Sequence, residues 1–155
     1  AEANDAIKFV DINYIVNNSI SGKKLNLIIE NKNKKIKDEI TKLRKNLDEK
    51  KSKILTQKDI LKKNELDSLI KDYEKEVKRF NEIRKKKTDE INSFNINSKK
   101  KILDLLNPLI TSYLKKESIQ LLFQKDKIIF GDEDLDITKE ILKIFNENYN
   151  KIKFE

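Results

Sequence analysis

The chain of 155 residues has no cysteine and no histidine. Disulfide and thiolate chemistry are therefore closed to it, and so are the usual general base and the commonest metal ligand. Only two glycines occur, Gly22 and Gly131, which excludes a glycine-rich phosphate loop. No apolar run approaches the roughly 18 residues that cross a bilayer. Carboxylates and lysines could still do chemistry, but no stretch of the chain gathers them into a cleft-like cluster. Neither an enzyme nor a bound cofactor or metal is expected.

Methionine is also missing, so the first residue shown is not a translation start. The opening "AEANDAIKF" places Ala1 and Ala3 in an A-x-A pattern. Small residues so spaced border signal-peptidase cuts, which points to an exported chain with its signal peptide removed.

What the chain has in quantity is charge: 40% charged residues against 37% hydrophobic ones, with a net charge of +8. That is lean for a sphere of this size and favours an elongated or oligomeric protein. Three arginines, Arg44, Arg79 and Arg84, stand among many lysines. Lysine supplies a mobile point charge where arginine would supply a planar fork. An AT-rich genome would enrich Lys, Asn and Ile without selection, but it would not sort charge by region. Between Lys23 and Lys101, 26 Lys plus Arg face 14 Asp plus Glu, a net of +12, while the rest of the chain is net −4.

Three regions follow from pattern. "AIKFVDINYIV" alternates Ile7, Phe9 and Asp11 with Lys8, Val10 and Ile12 and predicts a short strand. "NNSISG" then breaks it, with Gly22 free to take a positive φ. From Lys23 to Lys101 two long helices are expected. Ile36, Ile40, Leu43, Leu47 and Ile54 recur at spacings of four, three, four and seven. Leu66, Ile70, Tyr73, Val77, Phe80, Ile91, Phe94 and Ile102 continue the stripe, with Arg84 and Lys87 filling its gap. This is the seam of an antiparallel coiled coil, thin enough to open locally. The tip is placed near Asp59 to Asn64, and each arm is about 38 residues, roughly 57 Å long.

Beyond the arms, "KILDLLNPLITSYL" predicts a helix that restarts at Pro108, with Asn107 as the cap. "SIQLLFQ" and "KIIFG" predict a β-hairpin turning around Gln124 to Lys127. It would contain Ile119, Leu121, Leu122 and Phe123 on one strand and Ile128, Ile129 and Phe130 on the other. Asp136 is the expected N-cap of a last helix, with Glu140 in its first turn. The fold class is thus α+β, a long helical hairpin on a small strand body. Residues 1–22 and 102–155 form the body and 23–101 the arm. A body of this size is marginal alone and leaves strand edges open, so oligomerisation through the strands is expected.

The opening "IKFVDINYIV", the charged hairpin and the closing "IQLLFQKDKIIFGDEDLDITKEILKIFN" together resemble the Skp/OmpH family of periplasmic chaperones along essentially the whole chain. Asp136, Ile137 and Thr138 match the family's Asp-Ile-Thr helix start. The resemblance implies a periplasmic homotrimer in which strands from three chains, with Ile7, Phe9 and Val10 among them, build a small β-barrel. The helical arms would enclose a cavity that holds unfolded outer-membrane proteins without ATP. On the arm, Arg84, Lys85, Lys86 and Lys87, with Tyr73, Phe80 and Ile83, are the residues expected to meet clients. This chain is richer in Lys and poorer in Arg, Ala and Gln than better-known members. Many weak contacts of this kind hold by avidity yet exchange quickly, and capture of unfolded chains withdraws them from aggregation by mass action.

Two other functions compete. A cell-envelope adaptor coiled coil would bind one folded partner. A nucleic-acid-binding coiled coil would use the +12 arms, but the arginines and aromatic platforms of such proteins are scarce here, so no nucleic acid is expected. A prefoldin-like holdase has its strands between the arms, not at the two chain ends. Basic helices can also touch lipid head groups, which leaves weak contact with an anionic membrane surface or lipopolysaccharide open.

Overall fold

A computed structural model describes residues 7–155. The Ala1 and Ala3 pattern lies outside the described residues. In chain order the elements are β1 (Ile7–Val10), α1 (Ile12–Asn18), α2 (Ile20–Gln57), α3 (Lys63–Lys116), β2 (Leu121–Gln124) and α4 (Thr138–Asn148). The chain divides into two units, Ala1–Ile28 with Phe94–Glu155, and Ile29–Ser93, so that α2 and α3 each contribute to both.

The first unit is organised by a parallel pair of strands. β1 runs beside β2 with Ile7 opposite Leu121 and Phe9 opposite Phe123. A parallel pair needs a long crossover between its strands, and here everything from α1 to α3 serves as one. On its other edge β1 is partly covered: the Phe9 carbonyl accepts the Ile137 N–H at 3.0 Å. β2 has no strand on its outer edge among the described residues.

The expected hairpin is not formed. Lys125–Lys127 is a 3₁₀ turn, and Ile128 to Gly131 belongs to no strand. The hydrophobic alternation in "KIIF" supplied strand propensity but no partner. β2 took its partner from β1, more than a hundred residues away in sequence, because Phe9 and Val10 are buried there. Gly131 instead closes on Phe9: a β-carbon at Gly131 would lie 2.7 Å from the ring.

The first strand is also shorter than its pattern suggested. Asp11 ends it and caps α1, accepting the Tyr14 N–H at 2.8 Å. Ile12, Ile15 and Val16 are spaced for a helix although their β-branched side chains favour a strand, and Ile15 and Val16 are buried on one helical face. Ser19 then closes α1 and opens α2. Its N–H donates to the Ile15 carbonyl at 2.9 Å, and its hydroxyl accepts the Gly22 N–H at 3.0 Å. Gly22 lies within α2 and not at a positive φ. It is needed for close approach, since a β-carbon there would meet the Val16 carbonyl oxygen at 1.8 Å. The remaining start of α2 is tied to the chain's end. Ile20 N–H donates to Asn146 Oδ1 at 2.8 Å, and Ser21 Oγ donates to the Tyr149 carbonyl at 2.5 Å.

No restart occurs at Pro108, which lies inside an unbroken α3. The Asn107 carbonyl accepts a bond from Thr111 Oγ1 at 3.1 Å, as within any helix. Proline removes one backbone bond and costs about 3 kcal/mol in a helix interior. Burial of Leu106 and Ile110 on either side offsets that loss. α3 ends instead at Lys116 and is stopped by Ser118, in the left-handed region at φ 56°, with Ile119 N–H reaching back to the Leu114 carbonyl at 2.9 Å. This is a Schellman stop.

The core of the unit joins Ile15 and Leu25 to Ile102, Leu106, Ile141 and Phe145, all at 1% exposure or less. Each such side chain contributes about 1.5–3 kcal/mol through burial. In the second unit, α2 and α3 are joined by a turn at residues 58–62.

Candidate functional site

In the second unit the stripe facing the partner helix is half-buried along most of its length. On α2 it comprises Ile36, Ile40, Leu43, Leu47 and Ile54; on α3, Leu66, Tyr73, Val77, Ile83 and Ile91. Phe80, at 9% exposure, is the most buried side chain on the stripe in Ile29–Ser93. Ile70 is more open, at 38%. A seam of this kind lacks the continuous dry core of a tight coiled coil.

The basic block divides by helical geometry. Arg84, placed on the stripe by spacing, is exposed, and Ile83 turns inward in its stead. Residues 83 and 84 straddle the midpoint between Phe80 and Lys87, and the apolar side chain of the two takes the inward side. The Arg84 guanidinium lies 6.0 Å from the centroid of the Phe80 ring. Lys85 and Lys86 are exposed, and Lys86 makes a loose pair with Glu90 at 3.9 Å. Lys87 faces the seam and binds Glu39 on α2 at 2.7 Å. Its hydrogen bond to Glu39, reinforced by that charge, holds its pKa above the ordinary lysine value.

An open cleft of about 490 Å³ is lined by Leu43, Leu47, Arg79, Phe80 and Ile83, with Lys50 and Glu76 paired across its mouth. Tyr73 lies on the same stripe, about two turns before Phe80.

In the first unit the expected body residues separate into core and edge. Phe9 and Val10 are buried, Ile119, Leu122 and Ile128 are half-buried, and Ile7, Leu121 and Phe123 are exposed at 44–50%. Ile129 and Phe130 stand almost fully in solvent, at 106% and 90%. Two adjacent large apolar side chains left so bare mark a surface that expects cover.

Asp136 stands one residue before the expected place. The cap position of α4 falls on Ile137, which has no side chain able to cap. The Asp136 carboxylate nonetheless accepts the Thr138 N–H at 2.9 Å, while Lys125 Nζ binds its other oxygen at 2.8 Å. Asp11 N–H donates to Thr138 Oγ1 at 2.8 Å, so the network fastens α4 to the end of β1. Lys125 also sits over the Phe9 ring, 5.9 Å from its centroid. Burial alone would raise the Asp136 pKa; the bonds from Lys125 and Thr138 outweigh it and hold the carboxyl below its ordinary value. The Lys125 link was not legible in the sequence, since an i, i+11 contact across two turns has no periodic signature.

Among the described residues no three His, Cys, Asp or Glu converge as a metal site, and no helix is long and apolar enough to cross a membrane.

Comparison with known proteins agrees with this architecture. A crystal structure of a candidate outer membrane chaperone (OmpH-like) from Caulobacter crescentus CB15 superposes with a TM-score of 0.87. The match covers 100% of this chain and 92% of the other, at 14% sequence identity, so it speaks for the fold. No curated protein matched the chain in a sequence comparison. The family model described as outer membrane protein (OmpH-like) matches residues 6–145, most of the chain, from the first strand into the last helix, and the chain belongs to that family.

Proposed function

We propose that the chain is an ATP-independent holdase that works as a homotrimer in the periplasm and shields unfolded outer-membrane proteins from aggregation. One observation carries this function: a chain of the OmpH-like family combines an unfinished strand edge with a basic, thinly sealed helix pair. The bare Ile129 and Phe130 and the open edge of β2 are suited to completion by further copies. The half-buried seam, the cleft beside Phe80 and the exposed Arg84, Lys85 and Lys86 offer weak apolar and electrostatic contacts to many sequences. None of them is rigid enough to select one.

The test is light scattering of an unfolded porin diluted from denaturant, without nucleotide, at several-fold excess of chaperone trimer. Suppressed aggregation is expected. Undiminished aggregation would remove the holdase assignment and leave an adaptor coiled coil.

A further inference from the structure

After α4 the chain continues through residues 150–155, which belong to no helix and no strand. Their side chains nevertheless alternate as on a strand. Ile152 is 8% exposed and Phe154 is half-buried, while Lys151, Lys153 and Glu155 face solvent. Side chains of both long helices hold the backbone of this tail. On α2, Ser21 Oγ donates to the Tyr149 carbonyl at 2.5 Å, and Lys24 Nζ donates to the Ile152 carbonyl at 3.5 Å. On α3, Lys101 Nζ donates to the Lys153 carbonyl at 2.7 Å. The tail therefore lies across the first turns of α2 and the returning part of α3, all within the first unit.

This grip reads very little of the sequence it holds. Main-chain carbonyls are common to every residue, and ammonium groups on flexible stems follow small shifts in their position. Apolar contact is made only at positions 152 and 154, two residues apart. Among the described residues, no backbone N–H from 151 to 155 donates to a carbonyl, so no ladder fixes the tail in place. The track sets one condition on its occupant: an extended chain with apolar side chains at alternate positions.

We infer that residues 151–155 are a built-in mimic of a client segment, occupying a track on α2 and α3 that takes extended, alternating chains. Strands of outer-membrane barrels alternate in this manner, so the inference rests on the holdase reading for its natural ligand. The tail keeps the track closed until a client segment displaces it. Its tether gives it an effective concentration of roughly millimolar, which a free segment must overcome.

The probe is a fluorescein-labelled peptide with the sequence of residues 151–155, followed by polarisation with the full chain. In Ile152→Ser/Phe154→Ser the tail loses both apolar anchors, so the peptide should bind saturably. The parent should bind it at least about tenfold more weakly. A peptide of the same composition with its isoleucine and phenylalanine adjacent should not bind. Adding Lys24→Ala/Lys101→Ala to the released chain should weaken binding at least about tenfold, with helix content by circular dichroism unchanged. Should the serine variant lose helix content, Ile152→Ala takes its place in the same comparison. The inference is overturned if parent and released chain bind the peptide equally, or if neither binds it. It is equally overturned if the peptide with adjacent apolar residues binds as well, or if the lysine changes have no effect. The assay contains no porin. Peptide binding without suppressed porin aggregation would remove the holdase and keep the track, and suppressed aggregation without peptide binding would do the reverse.

Discussion

Lys87 on α3 and Glu39 on α2 meet at 2.7 Å across the helical seam, the lysine occupying a stripe position between Ile83 and Ile91. A polar pair at a seam position weakens packing but fixes which residues face each other. Lys87→Glu should therefore lower the melting temperature of the helices by a few degrees, and Glu39→Lys/Lys87→Glu should restore it. Lys87→Leu should raise it. Because the pKa of Lys87 is raised by Glu39, the pair's contribution is fully present below the ordinary lysine range and disappears only as pH climbs through the raised value. Thermal melts followed by circular dichroism at neutral pH check all three variants.

Lys85 and Lys86 lie in the same block but point to solvent. Lys85→Glu/Lys86→Glu should leave the melting temperature nearly unchanged, as surface changes do. It should weaken capture of acidic clients, most clearly at low salt. Equal capture by variant and parent across a salt series would show that these charges are incidental.

Ser118 carries a left-handed backbone at the end of α3, a conformation strained for any residue with a β-carbon. Ser118→Gly keeps the Schellman bonds and removes the strain. It should stabilise the chain by about 1 kcal/mol, read as a higher urea midpoint at unchanged slope.

The helical seam was legible because its signal is local and periodic. Ile36, Ile40, Leu43 and Leu47 needed only their spacing to declare a shared face. The strand partners were not legible in the same way. "KIIF" and "LLFQ" have equal claims to be strands, and alternation names no partner for either. Phe9 decided between them from the far end of the chain. The stretch after Asp11 misled because Ile12, Ile15 and Val16 have strand-favouring β-branched side chains although their spacing is helical, and Pro108 misled because its buried neighbours outweighed its local preference. The inward turn of Lys87, as against Lys85 and Lys86, did follow from the stripe; its partner Glu39, on another helix, did not.

Asp136 gives the first unit an acid-sensitive link. Its carboxyl is held below the ordinary value by Lys125 and Thr138 against the opposing effect of burial. A depressed pKa means that the stabilisation is present above the unfolded value, about 3.9, and is lost as pH falls through the folded value. Asp136→Asn should flatten that part of the profile and cost on the order of 1 kcal/mol near neutrality. Urea unfolding of both proteins through the acid range, down to well below about pH 4, is the measurement. Parallel curves would show that Asp136 is not a stabilising acid.

Ile129 and Phe130 supply the sharpest distinction between a self-sufficient body and one completed by other copies. In the single chain neither is covered, so Ile129→Asp/Phe130→Asp removes almost no intramolecular packing. A monomer would tolerate it, with its unfolding curve hardly moved, and would even gain solubility. In a homotrimer, two aspartates per chain would enter an apolar junction and leave buried charges without partners. The cost, several kcal/mol for each uncompensated charge, would exceed what short strands return. Light scattering after size exclusion should then report about 55 kDa for the parent, three times 18.3 kDa, and the single-chain mass for the variant. The helix content of the two should agree. If the parent itself has the mass of one chain, the open edge of β2 is stable uncovered and the homotrimer is wrong. If both have the mass of three chains, the subunits meet elsewhere, and the exposed pair must be explained by a different partner.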